Sequence, residues 1–73
     1  MVDHVKLEIA VQLAAEKIAD LFNLINTSEN EEERQLLTLK LEEAFFEKEK
    51  ISRGEIFFIE KILNERRTAN GTN

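Results

Sequence analysis

From Arg34 to Arg66 the chain reads RQLLTLKLEEAFFEKEKISRGEIFFIEKILNER, and only Ile51-Ser52-Arg53-Gly54 interrupts its helical character. There is no proline, and glycine occurs only at positions 54 and 71. No residue before Gly54 therefore forces a helix to end by removing a donor or by favouring left-handed backbone. Glu, Lys, Leu, Ala and Ile, all of them tolerated or favoured in helices, fill the space between. The expected fold is all-α, with helices over about 5–25, 29–51 and 53–67. The last two would form a helical hairpin, with helix one packed across it. Residues 1–67 make one domain and residues 68–73, small and polar, a disordered tail.

In helix one, Leu7, Val11, Ala14, Ile18, Leu21 and Ile25 recur at alternating steps of four and three. That spacing keeps one stripe facing one partner. Ala10, Ala15 and Phe22 widen the stripe. Ile9, Leu13 and Leu24 fall on a second side, beyond a polar row of Glu8, Gln12, Glu16 and Asp20. Two apolar faces need two partners. Either helices two and three supply both, or a second subunit covers one of them.

Asn26-Thr27-Ser28-Glu29-Asn30 closes helix one. Ser28 and Glu31 have capping-box spacing, and Glu29, Glu31, Glu32 and Glu33 put negative charge where the dipole of a starting helix favours it. The glutamate run is thus read as a helix start and not an acidic tail. In helix two Leu37, Leu41, Ala44, Phe45 and Ile51 share one face. Lys48 is tolerated among them with its stem along the core and its amine in water. Leu39 and Phe46 sit on the opposite side. Ser52 and Glu55 repeat the capping-box spacing, so Ser52 is expected to cap helix three, with Ile51 packed into the corner. Ile56, Ile59, Ile62 and Leu63 are expected to be the buried face of that helix, with Phe58 at its edge. Phe57 points away.

A chain of 73 residues buries a core worth roughly 3–5 kcal/mol of net stability. Without cysteine no disulfide or thiolate site adds to that, which makes oligomerisation the expected supplement. His4, the single histidine, offers no zinc cluster and reads as a solvated helix start. No glycine-rich phosphate loop and no di-iron Glu-x-x-His pair is present. The carboxylates Glu42, Glu43, Glu47 and Glu49 read as a solvated face. No catalytic residue, metal, cofactor or enzymatic activity is expected. Net charge is −5, distributed as −2, −4 and +1 over residues 1–26, 27–50 and 51–73. That balance disfavours nucleic acid and anionic membrane as partners. The mild basic group Arg53, Lys61, Arg66 and Arg67 suits a helix C-terminus. Asn26-Thr27-Ser28 and Asn70-Gly71-Thr72 fit the glycosylation sequon, but nothing resembling a signal peptide accompanies them. No apolar run approaches the ~20 residues of a membrane span, and the expected setting is the cytoplasm.

Arg34-Gln35-Leu36-Leu37-Thr38-Leu39-Lys40-Leu41, followed by Ile51-Ser52-x-x-Glu55-Ile56-x-x-Ile59-Glu60-x-x-Leu63-x-Glu65-Arg66, resembles the core of gas vesicle protein G. Ala15-Glu16-Lys17-Ile18 is similar to that family's Gly-Glu-x-Ile segment, so the resemblance covers residues 15–66. Glu49-Lys50 stand where the family has a glycine, and Gly54 stands where acids are usual. The Ile-Ser-x-x-Glu helix start also resembles SHOCT oligomerisation hairpins. The resemblance implies an accessory assembly protein that self-associates. The residues themselves imply a non-enzymatic interaction module, a bacterial or phage regulator or adaptor that binds a larger protein through an apolar helix face. Dimerisation into a six-helix bundle is expected. Leu7, Val11, Ala14, Ile18, Leu39, Phe46 and Phe57 are the candidate self-association or partner residues, with Phe46 and Phe57 as aromatic anchors.

Overall fold

A computed structural model of the chain describes residues 4–71, with side chains described for residues 4–65. Three helices follow one another: α1 (His4–Thr27), α2 (Glu31–Ser52) and α3 (Ile56–Gly71). No strand occurs among the described residues. α3 continues past the expected end at residue 67. Of the tail expected to be disordered, Thr72 and Asn73 lie outside the described residues.

The short connection after α1 makes α1 and α2 antiparallel neighbours. Their stripes meet in register: Ile18, Leu21, Leu41 and Ala44 form one buried cluster, with Ile25 and Leu37 packed against it. The N-terminal half of α1 supplies a second cluster. There Ala10 and Ala14 meet Ile51 of α2 and Ile59 and Ile62 of α3. The alanines leave room at this crossing, where three helices converge. α1 thus touches both other helices extensively, whereas α2 and α3 share the smallest contact. The expected α2–α3 hairpin exists as a connection, but its arms splay and α1 is the common partner. Lys6 pairs with Glu60 at 3.4 Å and Lys17 with Glu65 at 2.8 Å, so α3 runs in the same sense as α1.

Both helix starts differ from the expectation. Asn30, not Ser28, caps α2: its side chain accepts from the Glu33 N–H at 3.2 Å. The Ser28 hydroxyl instead donates to the Glu33 carboxylate at 2.9 Å. Asn30 wins because its oxygen reaches the third N–H of the helix, leaving Ser28 to hold the glutamate from outside. The acidic first turn of Glu31, Glu32 and Glu33 is as read.

Ser52 does not cap α3. It is the last residue of α2, and Gly54 follows at φ 82°, a backbone region nearly closed to residues with a Cβ. The Gly54 N–H donates to Ile51 O at 2.9 Å and the Glu55 N–H to Lys50 O at 3.2 Å. This crossed pair satisfies the last carbonyls of α2. Lys50 and Glu55 close it further with an ion pair at 3.6 Å. α3 then begins at Ile56, with the Glu55 carbonyl accepting from Phe58 and Ile59 N–H groups at 3.1 Å.

Three side chains also differ from their expected surroundings. Ile56, one turn before Ile59, is exposed, at the end of α3 that the core cluster does not reach. Phe45 is half-exposed and meets Phe22 edge-on, ring centres 6.2 Å apart. Glu47, read as solvated, is buried. Its neighbours one turn away on the same face are Ala44 and Ile51, both core residues, and α3 crosses over it.

The principal extents are 44 × 30 × 15 Å and the radius of gyration is 13.3 Å. A compact chain of this length would have about 11 Å. The accessible surface, 5463 Å², likewise exceeds the about 4,650 Å² of a folded 8.5 kDa monomer. Helix faces that a rounder bundle would enclose are left open.

Candidate interaction surface

α2 divides its apolar residues between two sides. Leu37, Leu41, Ala44 and Ile51 face inward, and Lys48 is half-buried among them. On the opposite side Glu32, Leu36, Leu39, Glu43, Phe46, Lys50 and Arg53 succeed one another at steps of four and three. Leu36 and Leu39 are each 61% exposed and Phe46 52% exposed. Phe46 stands edge-on to Phe58 at 6.0 Å, and Phe58 edge-on to Phe57 at 5.1 Å. The Lys50 ammonium lies 5.2 Å from the centre of the Phe46 ring, within cation–π range. The outer stripe of α2 therefore runs into an aromatic step made with α3.

Of the candidate residues, Ala14 and Ile18 belong to the intrachain core, and Leu7 and Val11 pack against it half-buried. Of the seven, Leu39, Phe46 and Phe57 remain in the open, Phe57 at 70% exposure. Ile9 and Leu24, the second side of α1, are also exposed. A groove of 510 Å³ beside Leu39 is floored by Ile25 and edged by Glu31 and Arg34. A second, of 580 Å³, lies beside Phe57 between Glu60, Lys61 and Glu65. Reading the residues one by one missed Leu36 as a surface residue in its own right and Phe58 as the link between Phe46 and Phe57. The four-three spacing from Glu32 to Arg53 carried the first. Nothing local carried the second, because Phe46 and Phe58 meet only through the tilt of α3.

Charge is organised around Glu47. One carboxylate oxygen accepts from Lys61 of α3, and the other lies 3.5 Å from Lys17 of α1. Lys17 also pairs with Glu65 at 2.8 Å. One buried acid thus ties all three helices. The hydrogen bond to Glu47 raises the pKa of Lys61 above 10.5, partly opposed by burial and assisted by the charges of Glu47, Glu43 and Glu65. Because folding tightens proton binding, this stabilisation is complete below pH 10.5. It is lost as pH rises through the higher folded-state value. The stability gap between the wild type and Lys61→Met should therefore narrow above pH 10.5, as read by urea denaturation at stepped pH. A gap unchanged up to pH 12 would contradict the pairing.

Among the described residues no group of His, Cys, Asp or Glu side chains is placed to hold a metal ion. No described helix is long and apolar enough to cross a membrane. Chemically the surface offers apolar and aromatic contact framed by paired charges. No known family, curated protein or solved structure matches this chain at a significant level.

Proposed function

We propose that this chain is a non-enzymatic protein–protein interaction module, a regulator or adaptor that binds a larger bacterial or phage protein in the cytoplasm. The observation that carries the reading is the outer stripe of α2, with Leu36, Leu39 and Phe46 exposed and Phe57 beside them, on a chain whose core is already filled by other residues. Contiguous exposed apolar side chains on a small protein mark a surface that is covered in use. Aromatic residues beside charged rims are the usual anchors of such contacts.

The test is capture of a partner by the tagged full chain, followed by reconstitution of the purified pair. Phe46→Ala and Phe57→Ala should each weaken a stoichiometric complex about tenfold or more, with helix content unchanged by circular dichroism. Complex formation indifferent to both substitutions would remove the anchors and the reading with them.

The second reading is a self-associating assembly protein of the kind the resemblance to gas vesicle protein G implies, with six helices in a dimer. The four-three spacing of the α2 outer stripe favours it, since that spacing suits a helix–helix seam. Solution mass measured over a hundredfold concentration range separates a self-associating chain from a monomer.

A further inference from the structure

We infer that the outer stripe of α2 is closed by the same stripe of a second copy of this chain, running antiparallel about a twofold axis between Leu39 and Glu43, at the level of position 41. This rests on the self-associating reading of that stripe, and it names the sense and register of the pairing. The stripe reads Glu32, Leu36, Leu39, Glu43, Phe46, Lys50, Arg53: acidic at its start, basic at its end, with three apolar residues around Glu43 between them. Parallel self-pairing would set Glu32, Glu43, Lys50 and Arg53 each against its own copy, four repulsive contacts.

Antiparallel pairing about position 41 turns the same residues into complements. Leu36 meets Phe46 of the second copy, and Glu32 meets Lys50. Glu43 lies against Leu39 of the second copy, with the neighbouring Lys40 in reach of its carboxylate. Every contact occurs twice, as a twofold interface requires. The Phe46–Phe58–Phe57 step extends the floor on which Leu36 of the second copy would rest. The stripe lies opposite the inward face of α2, so pairing leaves the intrachain core undisturbed. A larger partner that takes Phe46 and Phe57 would displace the second copy from the same stripe.

The experiment uses the full chain, whose lack of cysteine makes introduced thiols unambiguous. Leu36→Cys and Phe46→Cys are prepared separately, mixed, allowed to exchange and oxidised. The mixed disulfide dimer should exceed either homodimer at least fivefold, and wild type should weigh as a dimer by light scattering. Leu39→Glu should raise the dimer dissociation constant at least thirtyfold without loss of helix content, since residue 39 is exposed in the single chain. Homodimeric cross-links as abundant as the mixed one would overturn the antiparallel pairing. So would a wild-type monomer throughout, or a dimer that Leu39→Glu leaves intact. Homodimeric cross-links in a wild-type dimer would remove only the antiparallel sense and leave self-association standing, whereas a wild-type monomer would remove both.

Discussion

Ile51→Ala should lower the unfolding free energy by about 2–5 kcal/mol, the range for removing a large aliphatic side chain from a closed core. The upper half of that range is expected. Ile51 is completely inaccessible to solvent and packs where all three helices meet, among Ala10, Ala14, Ile59 and Ile62. Two of these neighbours are alanines, which cannot rotate into the space left behind, so the cavity persists instead of collapsing. A core of this size supplies roughly 3–5 kcal/mol in all, and the alanine variant should be largely unfolded at 25 °C. Ile51→Val, one methyl smaller, should cost about 0.5–1.5 kcal/mol and remain foldable. Urea unfolding followed by circular dichroism reads both. If Ile51→Ala shifted stability by less than 1 kcal/mol, the three-helix junction would not be where the core is held.

What the sequence made legible follows from periodicity and stops where tilt begins. The stripe from Leu7 to Ile25 identified the core side of α1, because four-three spacing projects onto one side of any straight helix. Gly54 marked the break, but the capping-box match at Ser52 and Glu55 suggested a helix start where the chain makes a helix end. Both patterns share residues, and only the left-handed Gly54 backbone decides between them. Ser28 lost to Asn30 for a similar reason, since of two good capping residues two positions apart only one can stand directly before the first turn. Phe45 and Ile56 were misplaced because a helical wheel says which residues share a side, not how far a neighbouring helix reaches along it. Among the surface candidates, exposure at Leu39, Phe46 and Phe57 was legible from their phase against the core stripe. The step joining Phe46 to Phe57 through Phe58 depends on the α2–α3 crossing. Glu47 is the instructive miss. Its charge argued for solvent, while its place three residues after Ala44 and four before Ile51 put it on the core face. The place prevailed because Lys17 and Lys61 arrive from the other two helices to meet it.

Glu47→Lys should cost about 3 kcal/mol, enough to unfold much of the population. The Glu47 side chain is only 8% exposed and faces two ammonium groups. Reversing its sign leaves three like charges at the helix junction, and removing one partner of a buried pair typically costs 3–5 kcal/mol. The lower end applies because a lysine stem can carry its amine part of the way to solvent. Glu47→Met makes the informative contrast. Methionine has similar length and no charge to desolvate. Lys17 retains Glu65 at 2.8 Å, and the Lys61 side chain is 42% exposed and can be hydrated. That variant should therefore lie within about 1 kcal/mol of wild type, in either direction, as replacement of buried ion pairs by apolar groups often does. The two results together would assign Glu47 the task of fixing how α3 sits across α1 and α2, with little net contribution to stability. The positional effect is read from amide exchange in α3, which should quicken in Glu47→Met even where global stability is unchanged. A Met variant destabilised by 3 kcal/mol or more would reverse the assignment and make the ion-pair network a principal source of the fold's stability.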